Sequence, residues 1–141
     1  MLREQLSKFN GIMQGIEKFY EDYDKSVGLT YMSLTVLEII YHASKPITQK
    51  EICEKSHYIK QMVNTIVKNF YENGYVEFTE VVEDRRNKYV LFTENGKEYA
   101  DKILKPLIEM EEKAIKVLSD AERERMLEML ERCYMGYQNL M

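Results

Sequence analysis

The sequence predicts a mainly α-helical fold with a small β-wing, and three observations carry that prediction. Only 2 Pro and 6 Gly interrupt 141 residues. Apolar side chains recur at helical spacing at both ends of the chain. Between them, over residues 75–93, the pattern switches to strand-forming residues flanking a polar tip. The hydrophobic fraction of 45% and charged fraction of 31% are ordinary for a globular chain and exclude a disordered or collagenous one. No apolar run approaches the roughly 18 residues of a membrane span, and MLREQLSKFNG at the start has no signal-peptide character. The two cysteines, Cys53 and Cys133, make no disulfide framework. A cytoplasmic protein without a membrane partner is the expectation.

Residues 1–28 form the first region. Leu2, Leu6, Phe9, Met13, Ile16, Tyr20 and Tyr23 step by 4, 3, 4, 3, 4, 3, the seam of a helix that packs lengthwise on another. The last region, residues 94–141, repeats the pattern with Met126, Leu130, Cys133, Tyr137 and Leu140. Two such stripes in so short a chain either pack on their own core or, the preferred reading, meet a second copy of the chain. Leu6, Phe9, Met13, Ile16, Leu130, Cys133 and Tyr137 are the expected dimer contacts.

Residues 29–93 form the middle region. Ser33–Ala43 reads as a helix with Leu34, Leu37, Ile40 and Tyr41 inward, broken by Ser44-Lys45-Pro46. Thr48-Gln49-Lys50-Glu51 is a capping box that starts a short helix to about Lys55. Ser56-His57-Tyr58 connects it to a longer helix, Ile59–Asn73, which Asn73-Gly74 ends in a left-handed cap. That longer helix has an apolar stripe of Ile59, Val63, Ile66 and Phe70, with Met62 and Val67 on its flanks. Tyr75–Glu80 and Lys88–Thr93 are strands, joined through Val81–Asn87 with a charged tip. Thr93 caps a helix running to about Leu118, with a kink expected ahead of Pro106. Ser119-Asp120 caps the last helix.

A short helix, a tight connection, a longer helix and a two-stranded wing describe a winged helix-turn-helix. Opposite the apolar stripe of the second helix lie Lys60, Gln61, Asn64, Thr65 and Lys68 on one face. Gln and Asn pair with adenine, Lys reaches guanine or phosphate, and Thr touches the thymine methyl. No Asp or Glu falls between residues 57 and 71. At the wing, Arg85 and Arg86 with Lys88 behind them suit the negative potential of a narrow minor groove. Asp84 reads as a brace for the Arg86 side chain through paired hydrogen bonds. The net charge is -4, yet residues 45–88 hold eight Lys/Arg against seven Asp/Glu, so the centre is mildly basic between acidic ends.

The run from Asp84 through Phe92, Thr93 and Gly96 resembles the D-x-R wing and (Leu/Phe)-Thr-x-x-Gly signature of the MarR family of transcription regulators. Lys60 to Phe70 and Gly74-Tyr75-Val76 resemble that family's recognition helix and its exit. The resemblance covers the element order of the whole chain and is specific over about residues 48–96. It implies a homodimeric regulator, commonly a repressor, that binds double-stranded DNA. The terminal helices would intertwine, and Arg86 would enter the minor groove with Asp84 orienting it. Phe92 stands where the family usually has Leu. Thr65 stands where it often has Arg, which points to a more AT-rich operator.

The resemblance also implies a small aromatic or anionic effector bound between dimer helices and winged lobe, near Tyr20, Tyr23, Tyr31 and His42. Tyrosines at helical spacing are more often core or interface. Cys53 and Cys133 read as small buried hydrophobes. His42 and His57 are too far apart in sequence for a metal site, and no cofactor is expected. Nothing resembles a phosphate loop or a nucleophile motif, and acidic pairs such as Asp22/Asp24 read as solvated helix faces, so an enzyme is not expected. The alternative is a winged-helix module that binds protein and never touches DNA.

Overall fold

The computed structural model describes the backbone of all 141 residues and every side chain except that of Arg85. Its contacts divide the chain into two compact units, Met1–Ile103 and Leu104–Met141. The first unit opens with α1 (Leu2–Val27), which Gly28 ends in the left-handed region at φ 74°. Helix α2 (Tyr31–His42) starts two residues earlier than expected, because the Thr30 hydroxyl accepts the Ser33 N–H at 3.1 Å and caps it there.

Strand β1 (Ile47–Thr48) follows Pro46 and leads into α3 (Gln49–Ser56). The predicted capping box is formed in both directions. The Glu51 N–H donates to Thr48 Oγ1 at 3.2 Å, and the Thr48 N–H donates to Glu51 Oε1 at 3.3 Å. His57 then takes a left-handed conformation at φ 62° and donates its N–H to the Cys53 carbonyl at 2.9 Å. This single residue makes the helix-turn-helix connection tight, and α4 (Lys60–Glu72) begins three residues later.

Strands β2 (Val76–Val81) and β3 (Asp84–Phe92) form the wing, and helix α5 (Glu94–Ile115) follows. The sheet has three antiparallel strands in the order β1-β3-β2, not the two expected. Val90 pairs with Ile47 on one side and with Phe78 on the other. The wing tip also differs from expectation. Val81 pairs with Asp84 around a turn at Val82–Glu83, while the next pair is Glu80 with Lys88. Residues 85–87 therefore bulge from the beginning of β3 rather than forming the loop.

The core of this unit is closed by Leu34, Val36 and Leu37 of α2, Ile52 of α3, Val63, Val67 and Phe70 of α4, and Val76 and Val90 of the sheet. Each fully buried aliphatic contributes about 1.5–3 kcal/mol. Val67 belongs to this core and not to its flank, whereas Ile59, expected inward, is 65% exposed at the helix start. Asp24 also departs from expectation: it is buried rather than solvated.

A tight joint ties the base of the wing to α5. Gly74 takes φ 78° to leave α4, and Tyr75 donates its N–H to the Phe70 carbonyl at 2.9 Å. Across from it, the Thr93 N–H donates to the Tyr75 carbonyl at 3.0 Å, and the Thr93 hydroxyl donates to the Gly74 carbonyl at 2.6 Å. The same hydroxyl accepts the Gly96 N–H at 3.0 Å, capping α5. A Cβ at Gly96 would stand 1.7 Å from the Tyr75 carbonyl oxygen, so only glycine fits. The Tyr75 and Tyr99 rings stack with centroids 4.0 Å apart. The Thr-x-x-Gly pattern is thus a cap plus a backbone crossing.

In the second unit Leu104 and Leu107 are buried, and α5 continues through Pro106 to Ile115. Ser119 and Glu122 form a second capping box at the start of α6 (Asp120–Gln138). These hydrogen bonds hold the Glu122 carboxyl below its usual range. No residue of α6 is buried. Cys133, expected to be covered, is exposed, because the seam it occupies has nothing over it in a single chain.

Candidate nucleic-acid interface

Helices α3 and α4 and strand β3 enclose a cleft of about 530 Å³. Its wall carries Lys50 from the first turn of α3, Lys60 and Asn64 from α4, and Arg86, Asn87 and Lys88 from β3. Among the described residues four cations converge there and no carboxylate lines it. Isolated exposed cations interact weakly in water, about 1 kcal/mol per pair at 4 Å. Their value here is cumulative, against a ligand that presents regularly spaced anions.

Local folding sets each of these side chains. The left-handed His57 turns the chain so that Lys60 opens α4 beside the wing. The first turn of α4 has no side-chain cap from Ile59 and no acidic residue, a start that favours an anion. At the wing, Asp84 Oδ1 accepts the Arg86 backbone N–H at 3.1 Å and Oδ2 accepts the Asn87 side-chain amide at 2.9 Å. Asp84 therefore shapes the bulge that presents Arg86. The expected carboxylate–guanidinium pair is replaced by this backbone hold, and the Arg86 side chain has no ion pair among the described residues. The assignment of Arg85 lies outside the described side chains.

The outer face of α4 divides. Lys60 and Asn64 turn into the basic cleft, while Gln61 and Thr65 line a shallower, mostly apolar groove of about 320 Å³ with Thr30, Met32, Ile59 and Met62. Thr65, exposed on this face, donates its hydroxyl to the Gln61 carbonyl at 3.0 Å. Lys68 lies a further turn along, 3.9 Å from Glu72 in an exposed pair that offsets part of its charge. Sequence reasoning missed Lys50, Gln49 and Asn87 as cleft residues. The first two lie in the helix opened by the Thr48 capping box, and that cap was the available signal.

The residues grouped for an effector do not all meet. The Tyr20 and Tyr31 rings stand edge to face at 6.2 Å. His42 sits at the opposite end of α2 from Tyr31, about 16 Å away along the axis at 1.5 Å per residue. There it meets the Tyr41 ring edge-on at 5.3 Å, so it drops out of the group. Tyr23 instead donates its hydroxyl to the Ile103 carbonyl, and burial raises its pKa. No cluster of three or more His, Cys, Asp or Glu suited to a metal is present among the described residues, and no helix is long and apolar enough to cross a membrane.

The helix-turn-helix, the three-stranded wing and the basic cleft between them define a winged helix-turn-helix protein. Residues 27–87 match the model of the MarR family. The whole chain shares the fold of that family's regulators. It is similar to a MarR family regulator from Neisseria meningitidis, with 25% identity over 96% of this chain and 95% of that one and a TM-score of 0.82. It is also similar in fold to Staphylococcus aureus MepR in its DNA-binding conformation, with 19% identity over 94% and 98% of the two chains and a TM-score of 0.81. A third similar fold is S. aureus MarR in complex with salicylate and kanamycin, with 17% identity over 97% and 92% and a TM-score of 0.74. No curated protein matches the chain.

Proposed function

We propose that this protein is a sequence-specific, DNA-binding transcription regulator. It acts as a homodimer on a pseudo-palindromic operator, represses by occupying the promoter, and releases DNA in response to a small-molecule effector. The observation that carries this reading is the cleft between α4 and the wing, where Lys50, Lys60, Arg86 and Lys88 converge with no lining carboxylate among the described residues.

In this reading α4 enters the major groove. Gln61 and Asn64 read base edges, the Thr65 methyl meets thymine, and Lys60 and Lys68 hold phosphates. Arg85 and Arg86 reach the minor groove, with Lys88 on the backbone. A two-fold axis places the two recognition helices about 34–36 Å apart, one turn of the duplex. The second copy is supported by the exposed stripe on α1, where Leu6, Met13 and Ile16 keep 47%, 47% and 51% of their surface, with Phe9 half-buried beside them. Leu130, Cys133 and Tyr137 are likewise exposed on α6. The two S. aureus proteins, MepR in its DNA-binding conformation and MarR with salicylate and kanamycin, support the same kind of function here.

A mobility-shift titration against the promoter of its own operon, repeated across salt, tests this. Three phosphate contacts per subunit, from Lys60, Lys68 and Lys88, give a log–log salt slope of about 2.7 in magnitude, doubled for the dimer, at about 0.9 per contact. Binding that ignores salt, or no binding, overturns the reading. The net charge of -4 favours the rival, a winged module that docks on protein, and a salt-insensitive protein partner would establish it.

A further inference from the structure

Helices α2, α3, α5 and α6 each begin on a hydroxyl cap, from Thr30, Thr48, Thr93 and Ser119. Helix α4 begins instead on Ile59, which makes no side-chain cap and leaves 65% of its surface exposed. Isoleucine is a poor N-cap, and an exposed one gains no burial. That choice disfavours the free fold, and burial against another molecule would offset it. Ile59 heads the shallow groove of about 320 Å³ along α4, which Met32, Met62 and Ile66 also line, Met32 with 40% of its surface exposed. The hydroxyls on this groove are already engaged. Thr30 Oγ1 accepts the Ser33 N–H at 3.1 Å and donates to Ser33 Oγ at 3.0 Å, and the Thr65 hydroxyl donates to the Gln61 carbonyl at 3.0 Å. Among the described residues no charged side chain lines the groove. A surface of this kind selects an apolar group.

We propose that this groove reads thymine C5-methyl groups, with Ile59 as a specificity-determining residue and Met32 of α2 beside it. The occupant follows from position. Ile59 and Lys60 are consecutive, with Cα atoms about 3.8 Å apart, yet Ile59 lines the groove and Lys60 lines the basic cleft. The division repeats one turn on, with Thr65 on the groove and Asn64 on the cleft. A duplex held by the cleft cations lays its major groove, about 12 Å wide, across both. Of the groups that base edges present there, the thymine methyl is the apolar one. The first residues of a DNA-reading helix are also those that reach base edges. Gln61 lies on the same groove and supplies the amide that pairs with adenine, so polar and apolar readers of A·T pairs stand side by side. The division of labour is then clear: the cations grip the backbone, and the uncharged groove chooses among sequences. This inference rests on the regulator reading and names what that site discriminates.

The test uses the full chain and the operator that it selects from random duplexes. Each thymine is replaced in turn by deoxyuridine, which keeps every hydrogen bond of the base pair and removes only the methyl. At one or two thymines per half-site the wild type should lose affinity by about fourfold, and by about fifteenfold when both half-sites are changed. Ile59→Ala should weaken binding to the thymine operator and bind the two duplexes nearly alike, with Tm unchanged because the side chain is exposed. Should that variant fail to fold, Met32→Ala decides by the same comparison. Arg86→Ala should weaken both duplexes and keep the difference between them. Equal binding of thymine and deoxyuridine duplexes at every position, or a methyl preference undiminished in the groove variant, overturns the methyl reader. So does an Ile59→Ala protein that binds DNA as the wild type does but loses a protein partner, since the groove is then a protein-docking surface. In each of these cases, binding that still weakens steeply with salt leaves the regulator reading standing. A chain that binds no duplex at any salt overturns the regulator reading, and the methyl reader with it.

Discussion

In the winged lobe, Leu37, Ile52, Val63 and Val90 keep 0–1% of their surface exposed, whereas along α1 and α6 Leu6, Met13, Ile16 and Leu130 keep 40–51%. Both regions show the same apolar periodicity in sequence. The lobe folds its stripes onto one another, because α2, α3, α4 and the sheet are short and joined by tight turns that bring them together. Helices α1 and α6 have few elements beside them and leave their stripes open. Periodicity reveals which side of an element is apolar; it does not say what covers that side. An open stripe of this length is the surface that the proposed second copy would cover.

The largest expected effect tests the closed region. Gly96→Ala forces a Cβ against the Tyr75 carbonyl oxygen and should cost about 3 kcal/mol or more in urea unfolding. A loss under about 1 kcal/mol would mean the joint yields, and the lobe is less closed than its packing shows. The open region is tested by Leu6→Asp with Met13→Asp. Helicity should be kept, sedimentation should shift from dimer to monomer, and operator affinity should fall on the order of 10²-fold as the two half-sites uncouple. Unfolding instead of dissociation would break the comparison, because α1 would then belong to its own chain's core.

Arg86→Ala separates surface from core within the lobe. It should cost about 1–3 kcal/mol of DNA binding, with no change in unfolding. Asn64→Ala should relax base preference in a selection experiment more than it lowers total affinity.

The smallest effect concerns Asp24. Its folded-state pKa is raised by burial above the unfolded value, so the folded protein binds more protons in the window between the two. Stability therefore falls as pH rises through that window, and the penalty is full above the folded value. Asp24→Asn should gain about 1 kcal/mol at neutral pH and flatten the acid side of the stability profile. An unchanged profile would show that something already pairs this carboxylate.

Much of this was legible beforehand. Thr48 and Glu51, Ser119 and Glu122, and Gly74 declared helix ends because capping chemistry is local. The outward face of α4 was legible because a helix has one period and the core took the other side. Strand β1 was not, since two residues carry no alternation and Ile47 is held only by its distant partner Val90. The wing register was also hidden. Residues 84–88 are polar throughout, so no apolar pattern pins which of them pair, and a three-residue bulge leaves no trace in composition. Asp24 looked like any charge on a helix, because its burial depends on Tyr31 and the turn that Gly28 makes, which spacing along α1 does not encode.

The joint at the wing's base has a practical corollary for anyone swapping parts between such winged folds. Gly74, Tyr75, Thr93 and Gly96 hold one another across the gap between strand entry and helix start, so a foreign wing spliced within those limits inherits a ready-made socket. A cut between Tyr75 and Thr93 that discards either residue leaves the graft without its clasp.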